Sequence, residues 1–181
     1  MNIILTENRG IKMSSPIITE ANYLEFGDII KEFIRNNELK EAEDYLLRII
    51  DLIERITIKK GIGISPGFYL ELAKLYKKQG SKEKEINILH RFLVQPKAGG
   101  EQSKKILERY AKLIDSTDME SLKESFYNEY LEKIRLTKLL TKYIECPNCQ
   151  KKILMIIPSK KVQLFRGSCP RCYENNLFIV E

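Results

Sequence analysis

GFYLELAKLYKKQGSKEKEINILHRFL, residues 67–93, decides how most of the chain folds. Tyr69, Leu72, Ala73 and Tyr76 recur at three-and-four spacing and share one face of a helix. Gly80 ends that helix, and Ser81 is placed to cap the next. Glu83 and Glu85 lie near the positive end of the second helix dipole, and Leu89 and Phe92 continue its apolar stripe. Pro96 and the KAGG run, residues 97–100, stop it. The stretch therefore predicts two antiparallel helices joined by a tight turn.

The pattern repeats upstream. Phe26, Ile29, Ile30, Phe33 and Ile34 form one stripe, Asn36-Asn37 a turn, and Leu39, Ala42, Leu46, Ile49, Ile50 and Ile53 a second stripe. KKGIGISPG, residues 59–67, separates the pairs and reads as a loop, with Ser65-Pro66 opening the following helix. Phe26 aligns with Tyr69 and Phe33 with Tyr76 at an offset of 43 residues. A tetratricopeptide repeat is roughly 34 residues long, and the loop accounts for the excess. The second unit resembles the tetratricopeptide pattern in its aromatic, Leu, small-residue, Tyr and Gly spacing. Glu85 replaces a usual small residue, and Pro96 comes early. Ile30 and Asn37 depart from the pattern in the first unit. The resemblance covers about 75 residues, and it implies a stack of helix hairpins presenting a groove to a protein segment.

Downstream, EQSKKILERYAKLID, residues 101–115, reads as a helix that could cap the stack. Thr117 with Glu120 has the capping-box pattern. Leu122, Phe126, Tyr130, Ile134 and Leu140 then predict a long linker helix reaching about Tyr143, basic in its last third.

Four cysteines follow, as C-x2-C-x19-C-x2-C: Cys146 and Cys149, then Cys169 and Cys172. Each pair is spaced so that one tight turn brings two sulfurs to one ion, and two such turns complete a tetrahedron. Pro147 and Pro170 stiffen those turns. KKILMIIP and KKVQLFRG, between the pairs, read as a hairpin turning at Pro-Ser-Lys, with Leu177–Val180 as a third strand. The region resembles a rubredoxin-like zinc ribbon. That implies one structural Zn2+ in a closed shell that supplies folding energy and leaves no open catalytic position. Two disulfides, or a dithiol redox pair, are the competing readings of the cysteines.

The expected fold class is mainly α: tetratricopeptide-like helix hairpins plus a small C-terminal β ribbon. The expected divisions are a flexible segment at 1–20, helical repeats at 21–115, a linker helix at 116–143 and the ribbon at 144–181. Met13 is a candidate alternative start. With 43% hydrophobic and 31% charged residues, no apolar run of membrane-spanning length and no secretory leader, the chain reads as soluble and cytoplasmic.

No catalytic constellation stands out. His90 lacks partners in sequence context, Ser65 and Ser168 lack a histidine, Glu41, Glu43 and Asp44 read as a solvated face, and GIG at 61–63 lacks the rest of a phosphate loop. The expectation is a non-enzymatic adaptor that binds a protein partner through its repeats, with the ribbon as a second contact surface. The alternative is a nucleic-acid-binding protein. From Lys133 onward basic residues outnumber acidic ones ten to three, and Lys151, Lys152, Lys160, Lys161, Arg166 and Arg171, with Phe165 for stacking, are the candidate contacts. Two repeats are fewer than usually stand alone, so flanking helices or self-association should complete the stack.

Overall fold

A computed structural model of the chain describes residues 17–60, 62–98, 100–137, 140–157 and 164–179. Six helices precede four strands. The first hairpin is α1 (Phe26–Arg35) with α2 (Leu39–Lys60), and the second is α3 (Gly67–Lys78) with α4 (Lys82–Leu93). They are followed by α5 (Gln102–Leu113) and α6 (Met119–Arg135). From α1 to α5 each helix packs on its predecessor in the chain.

The expected stripes form the core. Phe26, Ala42, Leu46, Ile49, Ile50, Tyr69, Leu72, Ala73, Leu89 and Phe92 are all buried in one cluster. Ile29, expected on that face, is instead exposed. Asn37 and Gly80 adopt positive φ at the two hairpin turns, as a helix stop followed by a reversal requires. The expected caps differ. At α3 the cap position is Pro66, not Ser65, and Ser81 at α4 makes no side-chain capping bond among the described residues. At α6 the cap is Asp118, not Thr117: its carboxylate accepts from the Ser121 amide at 2.9 Å. A carboxylate at that position also meets the positive end of the helix dipole, which a hydroxyl does less well.

The loop between the hairpins is held by its own backbone. Ile64 pairs in parallel with Lys97, with Ile64 N donating to Pro96 O at 2.8 Å and Ala98 N donating to Ile64 O at 3.0 Å. A Cβ on Gly63 would come within 2.4 Å of the Lys97 and Ala98 backbone, so only glycine fits there.

Polar ties lock the stack. Glu54 on α2 accepts from the Tyr69 hydroxyl at 2.8 Å, from Arg91 at 2.8 Å and from Gln95 at 2.8 Å, joining α2, α3 and α4. Glu43, expected on a solvated face, is tucked against Tyr76 at 3.1 Å and Lys84 at 2.8 Å. Glu85, the departure from the repeat pattern, is 3% exposed and receives Arg109 of α5 at 2.8 Å.

The C-terminal strands are β1 (Thr141–Glu145), β2 (Lys152–Ile156), β3 (Leu164–Ser168) and β4 (Asn175–Ile179). The expected linker helix ends at Arg135, so Thr141–Glu145 is a strand, not helix. The topology also corrects the expected hairpin. β1 pairs antiparallel with β2, from Thr141↔Ile156 to Glu145↔Lys152, and β3 with β4, from Leu164↔Ile179 to Ser168↔Asn175. β2 and β3 do not pair among the described residues. The reason lies on α6. At Leu154 the amide donates to the Tyr127 hydroxyl at 3.0 Å, and the carbonyl accepts from the Tyr130 hydroxyl at 3.2 Å. Two tyrosines thus cover the edge of β2 that a third strand would use. The expected Pro-Ser-Lys turn and the end of Leu177–Val180 lie outside the described residues.

The pair of Glu85 and Arg109 gives a stability test. Arg109→Met should cost about 3 kcal/mol, because a buried carboxylate loses its cation. Adding Glu85→Ala should recover part of that loss, as measured by urea denaturation.

Candidate metal centre

Each cysteine pair builds the turn of its own hairpin. Cys146 N donates to Lys151 O at 3.0 Å, and Gln150 N returns to Cys146 O at 2.8 Å. The second turn repeats this, with Cys169 N to Glu174 O at 2.9 Å and Tyr173 N to Cys169 O at 2.9 Å. Gln150 and Tyr173, each just after the second cysteine of its pair, sit at φ 54° and 65°. That left-handed residue reverses the chain and points both sulfurs of a turn inward.

The two turns face each other. The ligand atoms of Cys146, Cys149, Cys169 and Cys172 all lie within 4.8 Å of one another. Cys146 Sγ and Cys172 Sγ are 3.8 Å apart. Four sulfurs about 2.3 Å from one ion in a tetrahedron are themselves separated by about 3.8 Å, so the cluster fits a single metal ion. None of the four is in a disulfide, and each pair opens a hairpin turn, not a helix of a redox fold.

The surroundings suit a thiolate set. Cys146 and Cys169 are fully buried, while Cys149 and Cys172 are half-buried. The Arg171 and Cys172 amides each donate to Cys169 Sγ at 3.4 Å, and Asn176 Nδ2 donates to Cys146 Sγ at 3.6 Å. The Cys169 and Cys172 thiols hold their protons unequally. The Cys169 thiol donates to Cys172 and holds it down at about 5, and that hydrogen bond together with burial pushes Cys169 up. An incoming ion displaces the remaining protons and neutralises the mutual repulsion.

The second turn is wedged against the helices. Tyr173 is 1% exposed within the helical core. Ser168 donates to Ala98 O at 3.0 Å, and Lys104 of α5 donates to Glu174 at 2.8 Å. Lys97 lies over the Tyr173 ring at 4.7 Å and donates to Leu93 O at 2.6 Å and Gln95 O at 3.0 Å. Burial lowers its pKa to about 7, partly opposed by the Cys169 charge.

The described candidate nucleic-acid contacts differ in their setting. Lys151, Lys152 and Arg166 are exposed. Arg171 turns inward, paired with Glu124 and lying over the Tyr127 ring. Lys160 and Lys161 lie outside the described residues, and the Phe165 side chain is not described. His90 contacts Glu129 at 3.1 Å and packs against Phe126, a packing role. Sequence reasoning missed Tyr173 and Asn176: nothing in their spacing marks a residue adjoining a cysteine turn as buried or as a sulfur donor.

A second basic feature lies away from the cysteines. Between α3 and α5 runs a cleft of about 660 Å³. α3 lines it with Lys74, Lys77 and Lys78; α5 lines it with Lys105, Arg109 and Lys112. Glu108 is the one acidic side chain there. Lys77, Lys105 and Lys112 make no ion pair among the described residues.

Asn176→Ala should weaken metal binding about tenfold, the effect of losing a partner that orients a ligand. Competition against a chromophoric chelator measures it. Cys169→Ser should weaken, but not remove, the thiolate charge-transfer absorption of the cobalt(II)-substituted protein, because three of the four sulfurs remain. Comparison with protein-family models, curated proteins and solved structures finds no match to this chain, so the functional reading rests on the geometry itself.

Proposed function

We propose that this chain is a non-enzymatic adaptor whose helical stack binds an acidic segment of a protein partner. The carrying observation is the open cleft between α3 and α5, where Lys77, Lys105 and Lys112 make no ion pair among the described residues and Glu108 is the one acidic side chain; Arg109 and Lys74 there are already paired with Glu85 and Glu71. Like charges held close across a cleft raise the local potential and favour an anionic ligand. The sequential packing of α1 to α5 supports the tetratricopeptide-like reading, in which helix hairpins form an extended binding surface. The cysteine cluster is read as a structural zinc site of a rubredoxin-like ribbon. Tetrahedral thiolates suit zinc, and four protein ligands leave no open position for substrate. Free thiols of this kind belong in a reducing compartment such as the cytoplasm. No described helix is long and apolar enough to cross a membrane.

The test is purification of the untagged protein from its native cells without chelator, with zinc measured by mass spectrometry and bound material identified. One zinc per chain and an acidic protein partner are expected. Reversing Lys77, Lys105 and Lys112 to glutamate should release that partner while leaving the fold within about 1 kcal/mol, since exposed substitutions change stability little. Retention of the partner by the reversed variant, or salt-sensitive nucleic acid in its place, would overturn the reading.

A further inference from the structure

Helix α5 has two working sides. Lys105, Arg109 and Lys112 recur at helical spacing toward α3, whereas Lys104, Leu107 and Ala111 border a different depression. This second groove, about 440 Å³, lies between α5, the start of α6 and the second cysteine turn. Leu107 and Ala111 are buried beneath it, and Met119 lines it half-buried. Lys104, Lys112 and Lys123 surround these apolar groups, and Cys172 with Glu174 form the wall supplied by the ribbon. Glu108 and Lys112 border both depressions, so cleft and groove are contiguous across α5.

We propose that the partner's acidic segment crosses α5 from the basic cleft and anchors one large apolar side chain, leucine or phenylalanine, in this second groove. The inference rests on the adaptor reading and adds the partner's chemistry to it. Charge complementarity selects the acidic residues: Lys112 makes no ion pair among the described residues. Lys104 and Lys123 are held only by surface ion pairs, at 2.8 Å to half-exposed Glu174 and 2.6 Å to exposed Glu120, which a ligand carboxylate can replace. The apolar base selects the anchor, because an alkyl or phenyl group leaving water there gains burial that a carboxylate cannot. A peptide is favoured over a nucleic acid because no aromatic side chain lines either depression among the described residues, leaving bases without a stacking platform. Since Cys172 and Glu174 belong to the second turn, this groove depends on the metal centre. The cleft between α3 and α5 does not.

Fluorescence anisotropy on the full, zinc-loaded chain tests this with two fluorescein-labelled peptides of about twelve residues. One consists of Glu-Gly repeats; the other carries a single central leucine. The leucine peptide should bind about tenfold more tightly, a fraction of the gain from fully burying that side chain. Met119→Glu should erase the leucine advantage while leaving the Glu-Gly peptide unchanged. Chelation of the metal should do the same in the unmodified chain, which covers the case of a misfolded Met119 variant. Equal binding of the two peptides, or a leucine advantage that survives both treatments, overturns the groove and leaves the adaptor reading standing. No binding of either peptide at low salt, or tighter binding of a labelled single-stranded oligonucleotide, overturns both.

Discussion

The insertion of Tyr173 between the ribbon and the helices is the contact on which the molecule's two halves depend. Its ring is buried in the helical core, yet it directly follows Cys172, a cluster ligand. Its left-handed backbone closes the second cysteine turn, so the conformation that gathers sulfurs also directs this ring at the helices. Among the described residues the hydroxyl finds no hydrogen-bond partner. Apolar packing, including the Lys97 side chain over the ring, therefore holds it.

Helix α6 plays the complementary role from the other side. Phe126 joins the helical core, whereas Tyr127, Tyr130 and Ile134 join the core beneath the strands. The same two tyrosines satisfy the outer edge of β2. What reads in sequence as a linker is thus a shared wall between two small cores. Two two-stranded hairpins of this size have little interior of their own, and the wall supplies part of what they lack.

What could be read from the sequence divides along range of interaction. The helix hairpins were legible because Phe26, Ile30, Leu46, Tyr69, Leu72 and Leu89 carry their periodicity within single helices. The cysteine cluster was legible because turn geometry and ligand spacing are local. The strand pairing was not: KKILMIIP and KKVQLFRG have equal claim to pair with each other, and only the tyrosines of α6 decide against it. The end of α6 was misread for a related reason. Leu140 continues a helical stripe, but pairing of Thr141–Glu145 with β2 satisfies that backbone as a strand. Glu85 looked like a defect in a repeat because its cation, Arg109, stands 24 residues away. The basic cleft was invisible for the same reason, since its two walls come from separate helices.

Hydrogen exchange on the metal-loaded and metal-stripped protein tests the central claim, that the cysteine turns and the helical body form one unit joined at Tyr173. Loss of metal should remove amide protection from β1 to β4 and also lower it in α6 and around Lys97, while α1 and α2 keep theirs. Exchange confined to the strands, with α6 unchanged, would show that the ribbon folds and unfolds independently and would contradict the account.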